Sequence, residues 1–263
     1  MHDWFQTPPG RYVINWERGQ FDQAVADLFG FNALQLGMPD LDALASNRMP
    51  QRWLALDQAA PARARGAGSD EAAGAGGAWQ RLALHTDYAA LPFPAASLDL
   101  VLLPHALELN PDPHATLREV ERVLVPEGRV IICGLNPASL WGLRQRRAQL
   151  LRRLGVGELY LPDAGEFIGY WRLRDWLRLL NFEVESARFG AYCPAVRTEK
   201  WLRRWRWMDP VGRRWWPIFG AVYFIVAVKR VHGMRLLSPA WKEVSARANS
   251  PVSIANKVHP TMD

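Results

Sequence analysis

Cysteine is scarce in this chain: Cys133 and Cys193 are the only two in 263 residues, and sixty positions separate them. That count excludes a disulfide framework and a cysteine-based zinc site, and it fits a reducing compartment. Long apolar runs are missing as well. The longest, Trp215 to Val228, has fourteen residues and contains Pro217 and Gly220, short of the roughly 18–20 needed to cross a bilayer. It predicts a buried strand. The opening Met1-His2-Asp3-Trp4-Phe5 has neither a basic leader nor a continuous apolar stretch, which predicts no cleaved signal peptide and a cytoplasmic location.

Several enzyme signatures are also absent. There is no G-x-S-x-G elbow, Walker loop, H-E-x-x-H helix or paired-cysteine metal motif, so hydrolase, NTPase and metalloenzyme readings fall away and no metal is expected. A G-x-G-x-x-G turn does not follow the first expected strand, which disfavours dinucleotide chemistry. Charge excludes less. Thirty-two Lys and Arg against 26 Asp and Glu leave +6, a mild preference for anionic partners rather than a dedicated nucleic-acid arm. With 49% apolar and 22% charged residues, the chain has the balance of an ordinary globular protein, and its length suits one large domain or two small ones.

Hydrophobic periodicity supplies the organisation. A helix is expected from Trp16 to Phe29, with Phe21, Val25 and Leu28 on one face and Gly30 as its stop. Short apolar runs at 32–36, 52–57, 81–87, 98–103, 129–133, 182–187 and 221–228 read as strands, the last closed against solvent by Lys229-Arg230. Helical spacing at 114–124 and 173–180 lies between them, and a further short helix is expected from Pro39 to Ser46. Strands without polar alternation, interleaved with amphipathic helices, are the pattern of a parallel sheet covered on both faces. The fold class is therefore α/β, three-layered and Rossmann-like. The expected organisation is a helical segment at 1–30, a main domain at 31–233 and a tail at 234–263. Within the main domain, 58–78 is rich in Ala, Gly and Arg and reads as a flexible loop, and insertions occupy 138–180 and 195–217.

The most informative segment runs Leu91-Pro-Phe-Pro-Ala-Ala-Ser-Leu-Asp-Leu-Val-Leu-Leu-Pro-His-Ala-Leu-Glu-Leu109. It is followed by Pro111-Asp112-Pro113, by Leu117-Arg-Glu-Val-Glu-Arg-Val-Leu124 and by Pro126-Glu-Gly-Arg129. These residues resemble the class I S-adenosylmethionine-dependent methyltransferases, particularly those acting on small molecules and quinone precursors. The resemblance covers about Ala33 to Gly134, and more loosely the closing Tyr223 to Arg230. It implies a seven-stranded sheet, parallel except for one strand, with S-adenosylmethionine at the carboxyl ends of the first strands. It also implies cofactor contacts at Leu36, Gly37 and Met38 after the first strand. Asp57 would accept the ribose hydroxyls, Asp87 would accept from the adenine amino group, and Tyr88 beside it would stack. The usual glycine loop is reduced here to Gly37-Met38-Pro39-Asp40, and Pro39 lacks a backbone donor.

His105 follows the fourth strand, where acceptor and cofactor would meet, and is the candidate catalytic base; packing or capping is its bland alternative. Asp99, an acid inside a strand, reads as structural. The segment Arg197 to Trp216 carries seven basic residues, two acids and five tryptophans, with Trp201, Trp205 and Met208 on one helical face. The preferred reading packs the tryptophans on the sheet and lets the arginines reach water. The alternatives are a grip on an anionic surface or on RNA through Arg203, Arg204 and Arg206. The function these features imply is methyl transfer from S-adenosylmethionine to an unidentified acceptor, most simply a small molecule. The competing reading is an inactive scaffold that binds a partner or anionic surface through the Trp/Arg segment.

Overall fold

The computed structural model describes residues 2–57, 83–152, 155, 159–162 and 165–230. The loop expected at 58–78 and the tail expected at 234–263 lie outside them. Seven strands form one sheet in the order β3-β2-β1-β4-β5-β7-β6. They are β1 (Asn32–Leu36), β2 (Gln51–Asp57), β3 (Ala83–Thr86), β4 (Leu98–Pro104), β5 (Leu124–Leu135), β6 (Phe182–Gly190) and β7 (Val222–Lys229). Strands β1 to β5 pair in parallel, and β7 runs antiparallel to both β5 and β6. The sheet is thus parallel except for one strand.

Alternate side chains along each strand enter opposite faces, and each face has its own buried cluster. Helices α1 (His2–Phe5), α2 (Pro8–Val25) and α5 (Leu140–Arg152) cover one face. Phe5, Val13, Phe21, Val25 and Trp141 pack there on Ala33, Leu102, Ile131 and Phe224. The Phe21 ring meets Phe224 edge-on at 4.9 Å, and burying a side chain of this size contributes about 2–3 kcal/mol. The other face is covered by α4 (Pro113–Val123) and α6 (Tyr170–Leu179), with the short α3 (Ala106–Leu109) at the end of β4. Leu117, Val120, Leu173 and Leu177 close over Leu34, Val101, Ile132 and Ile225. The arginines at 144, 146, 147 and 152 of α5 are exposed.

Three expectations need correction. The amino-terminal helix starts at Pro8 and ends at Val25, not at Trp16 and Phe29. The Thr7 side chain caps it by accepting from Gly10 N–H, and prolines fill its first positions, where the missing donors cost nothing. No helix forms from Pro39 to Ser46. The carbonyls a helix would use there are taken by buried Gln35, whose amide nitrogen donates to the oxygens of Gly37, Met38 and Leu41 at 3.1, 3.1 and 2.8 Å. Its amide oxygen accepts from Ala43 N–H at 3.0 Å. Finally, Lys229 does not close the sheet against solvent. Its ammonium turns inward to the carbonyls of Glu121 and Leu124, at the carboxyl end of α4, where a cation satisfies orphan acceptors.

Candidate active site

Parallel pairing brings the carboxyl ends of β1, β2, β3 and β4 to one end of the sheet. Leu36 pairs with Ala55, and Asp57 with Thr86. Gly37, Asp57 and Asp87 therefore follow one another across three adjacent strand ends. Gly37 has φ +73°, a conformation that costs glycine little. A Cβ there would stand 3.0 Å from the Tyr88 hydroxyl and 4.0 Å from Ala106 Cβ. Its N–H donates to Ala55 O at 2.8 Å, which ties the turn to β2. Met38 also has positive φ, which an L-residue adopts only at a cost. The Gln35 amide offsets that cost by gathering the loop carbonyls.

The expected site residues divide into two groups. Asp57 is half-buried at the end of β2, and Asp87 is exposed after β3, with its carboxylate accepting from Ala89 N–H at 2.9 Å. Leu36 and Met38 instead bury their side chains in opposite cores, so each can present only backbone to the turn. Tyr88 is buried as well. Its hydroxyl donates to Ala55 O at 3.3 Å, and burial followed by the nearby Asp57 carboxylate pushes its pKa upward. The phenol thus forms a wall between the ends of β1 and β2. Asp99 has the structural role expected of it, accepting from the N–H groups of Phe31 and Asn32 at 2.8 and 2.9 Å.

His105 opens α3 in a left-handed conformation, φ +53°, and is fully buried. Its Nδ1 is 2.8 Å from Glu108 Oε2, and its Nε2 is 2.7 Å from Glu17 Oε1. Cys133 Sγ donates to the same Glu17 oxygen at 3.2 Å, and Glu108 Oε1 accepts from Leu135 N–H. Among the described residues the second Glu17 oxygen has no partner. Desolvation alone would lower the imidazole pKa, but the two carboxylates outweigh it and push it up to about 10. Burial raises the Glu108 pKa, against the pull of His105. Glu17, His105 and Cys133 also present donor atoms within 4.8 Å of one another, although short hydrogen bonds already join them.

Sequence reasoning identified His105 but not its partners. A usable signal existed for Glu17: it stands four residues after Val13 and four before Phe21, on the buried stripe of α2. A helix begun at Trp16 loses that stripe. Gln35 and Cys133 sit inside apolar strand runs and carry no comparable signal.

Residues 41–132 match the family model of a methyltransferase domain. That stretch is about a third of the chain, and over it the chain is similar to a methyltransferase domain. Solved structures bear out the fold, though at low identity. A chain in the complex between the Haloferax volcanii Trm112 methyltransferase activator and a methyltransferase is similar with TM-score 0.56 and 17% identity, covering 88% of this chain and 96% of that one. A SAM-dependent methyltransferase of Thermotoga maritima gives TM-score 0.53 and 16% identity over 83% and 92%. One from Archaeoglobus fulgidus gives 0.53 and 17% over 82% and 94%. In sequence, the uncharacterized protein YafS of Escherichia coli K12 is 42% identical over 100 residues. That match spans 38% of this chain and 39% of YafS. S-adenosylmethionine is the cofactor such a methyltransferase domain implies.

Proposed function

We propose that the protein is an S-adenosylmethionine-dependent methyltransferase acting on a small-molecule acceptor. The observation that carries this reading is the row of Gly37, Asp57 and Asp87 across three adjacent strand ends, with Gly37 in the left-handed turn that brings bare backbone against Tyr88 and Ala106. These residues fit the cofactor. Asp57 and Asp87 are acceptors suited to ribose hydroxyls and an adenine amino group, and Gly37 leaves room that a side chain would fill. Tyr88 would flank the ribose as a rigid wall rather than stack on adenine.

Bound there, S-adenosylmethionine supplies a methyl group already activated on a sulfonium. The chain's own task is to hold acceptor and cofactor in line and exclude water. His105 does not suit the role of base, because an imidazolium clasped by two carboxylates has no lone pair to offer. It acts instead as a positioning residue that ties α2 to the end of β4, beside Ala106. Among the described residues one Glu17 carboxylate oxygen has no partner, and this favours an acceptor that presents a hydrogen-bond donor toward α2.

Calorimetric titration of the full chain with S-adenosylmethionine, and separately with its demethylated product, tests the reading. The expected result is saturable micromolar binding of both. Absence of binding up to millimolar ligand, in folded protein, would overturn it and leave the inactive scaffold. Among the described residues no helix is long and apolar enough to cross a membrane. Cys133 and Cys193 are both free, buried thiols, which supports a reducing, cytoplasmic setting.

A further inference from the structure

The Trp/Arg segment departs from its preferred sequence reading. Four of its five tryptophans are turned to solvent rather than packed on the sheet: Trp201, Trp207, Trp215 and Trp216 are 50, 57, 73 and 54% exposed, Trp205 is half-buried, and Ile218 and Phe219 are 40 and 55% exposed. Trp201 lies on α7 (Glu199–Trp205), Trp215 on α8 (Met208–Trp215), and Ile218 and Phe219 on the 3₁₀ turn Pro217–Phe219, with Trp207 and Trp216 at the junctions between them. Lys200, Arg203, Arg204, Arg206, Arg213 and Arg214 are exposed among them.

The segment is anchored from beneath. Leu202 is buried, and Asp209 accepts from the Tyr12 hydroxyl at 2.5 Å and from Tyr192 N–H at 3.0 Å. Gly212 lies so close to the Tyr192 ring that a Cβ would collide with it. The body thus holds these helices by Leu202, Asp209 and Gly212 and turns the aromatic and basic side chains outward. An exposed apolar patch rimmed by charges of one sign marks an interaction surface.

We propose that this surface docks the protein on an anionic phospholipid bilayer. Six cations face two acids between 199 and 219, and Asp209 is spent on Tyr12 and Tyr192. The exposed run Trp215-Trp216-Pro217-Ile218-Phe219 has no charge in five residues. Interfacial insertion uses aromatic and aliphatic groups beside Lys and Arg in this way. A nucleic-acid platform needs flat rings spaced for stacking, and the aliphatic Ile218 would contribute nothing to it.

The patch also sits at a telling end of the sheet. Leu135, the last residue of β5, pairs with Val222, which in turn pairs with Gly190. The β6–β7 connection carrying the patch therefore leaves the sheet at the end where Gly37, Asp57 and His105 lie. If the methyltransferase reading holds, docking brings that end to the bilayer, and the acceptor class is an amphiphile held in the membrane.

Co-sedimentation of the full chain with vesicles of phosphatidylglycerol and phosphatidylcholine, and with phosphatidylcholine alone, tests the docking without cofactor. Its failure is thereby separate from failure of cofactor binding. Binding is expected on the anionic vesicles and should fall with salt. Replacing Arg203, Arg204 and Arg206 together by alanine should lower the partition about a hundredfold, at roughly fivefold per charge. The triple variant Trp215→Ser, Trp216→Ser, Phe219→Ser should lower it at least tenfold with charge unchanged. In the unaltered protein, brominated lipid should quench part of the tryptophan emission. No sedimentation, no quenching, or full binding by the folded aromatic variant would overturn insertion. Binding of an RNA oligonucleotide with none to vesicles would assign the surface to nucleic acid instead.

Discussion

The buried Glu17–His105–Glu108 cluster makes the stability of this protein depend on pH in a direction its geometry fixes. His105 has a folded pKa of about 10, against about 6.5 in an unfolded chain. A raised histidine pKa gives stability that is fully present below the unfolded value and is lost as pH rises through the folded one. In the window between them the folded state binds one more proton, so stability falls by about 1.4 kcal/mol per pH unit. From pH 6.5 to 8 the loss from His105 alone is roughly 2 kcal/mol. Glu108, raised by burial, destabilises as pH climbs above its unfolded value, and the raised thiol of Cys133 adds a loss of the same sign at more alkaline pH. The window up to pH 8 excludes the thiol, so the slope there comes from the histidine and Glu108, both of the same sign. Urea denaturation of the full chain across it should show the slope, and His105→Gln should flatten it. That variant also leaves two buried carboxylates facing each other and should lose about 3–5 kcal/mol. If it does not fold, the ¹⁵N shifts of the His105 imidazole in unaltered protein give an independent reading, with both ring nitrogens expected to be protonated at pH 8. A neutral tautomer at that pH, or stability independent of pH from 6.5 to 8, would refute the reasoning.

Three further outcomes follow from the loop and the strand ends. Gly37→Ala should lose at least tenfold in S-adenosylmethionine affinity by calorimetry, because it pairs a strained φ with a Cβ 3.0 Å from the Tyr88 hydroxyl; unchanged affinity would remove the turn from the site. Asp87→Ala should weaken cofactor binding more than Asp99→Ala does. Asp99→Ala should instead lower unfolding stability by about 2–3 kcal/mol, since its carboxylate holds two backbone donors at the start of β1; equal or reversed calorimetric losses would contradict the assignment. Gln35→Leu keeps the volume and removes the bonds to Gly37, Met38, Leu41 and Ala43. It should lower the thermal midpoint and the cofactor affinity together, whereas a fall in stability alone would show the loop holding its shape without the amide.

What could be read in the sequence and what could not divide along a physical line. Strands β1 to β5 are legible because a sheet buried on both faces demands mostly apolar runs, and Ala33-Leu34 with Leu36 and the run 100–103 meet that demand. The acids at 57 and 87 are legible because each closes a run. The start of α2 was not, since its amino-terminal signal is Thr7 followed by two prolines, and prolines read as a turn until a cap is recognised before them. The absence of a helix at 39–46 was hidden for a different reason. It is decided by Gln35, a polar residue in the middle of a buried strand, whose bonds to 37, 38, 41 and 43 exist only once the loop has folded back. Buried polar groups are the places where local pattern and final structure part, because their partners come from other elements: Glu17 from α2, Glu108 from α3, Cys133 from β5. The exposed tryptophans at 201, 207, 215 and 216 show the converse. Hydrophobicity alone predicts burial, yet Gly212 and Asp209 fix the orientation of the segment, and once they face the body the aromatic side chains have only the outside to occupy.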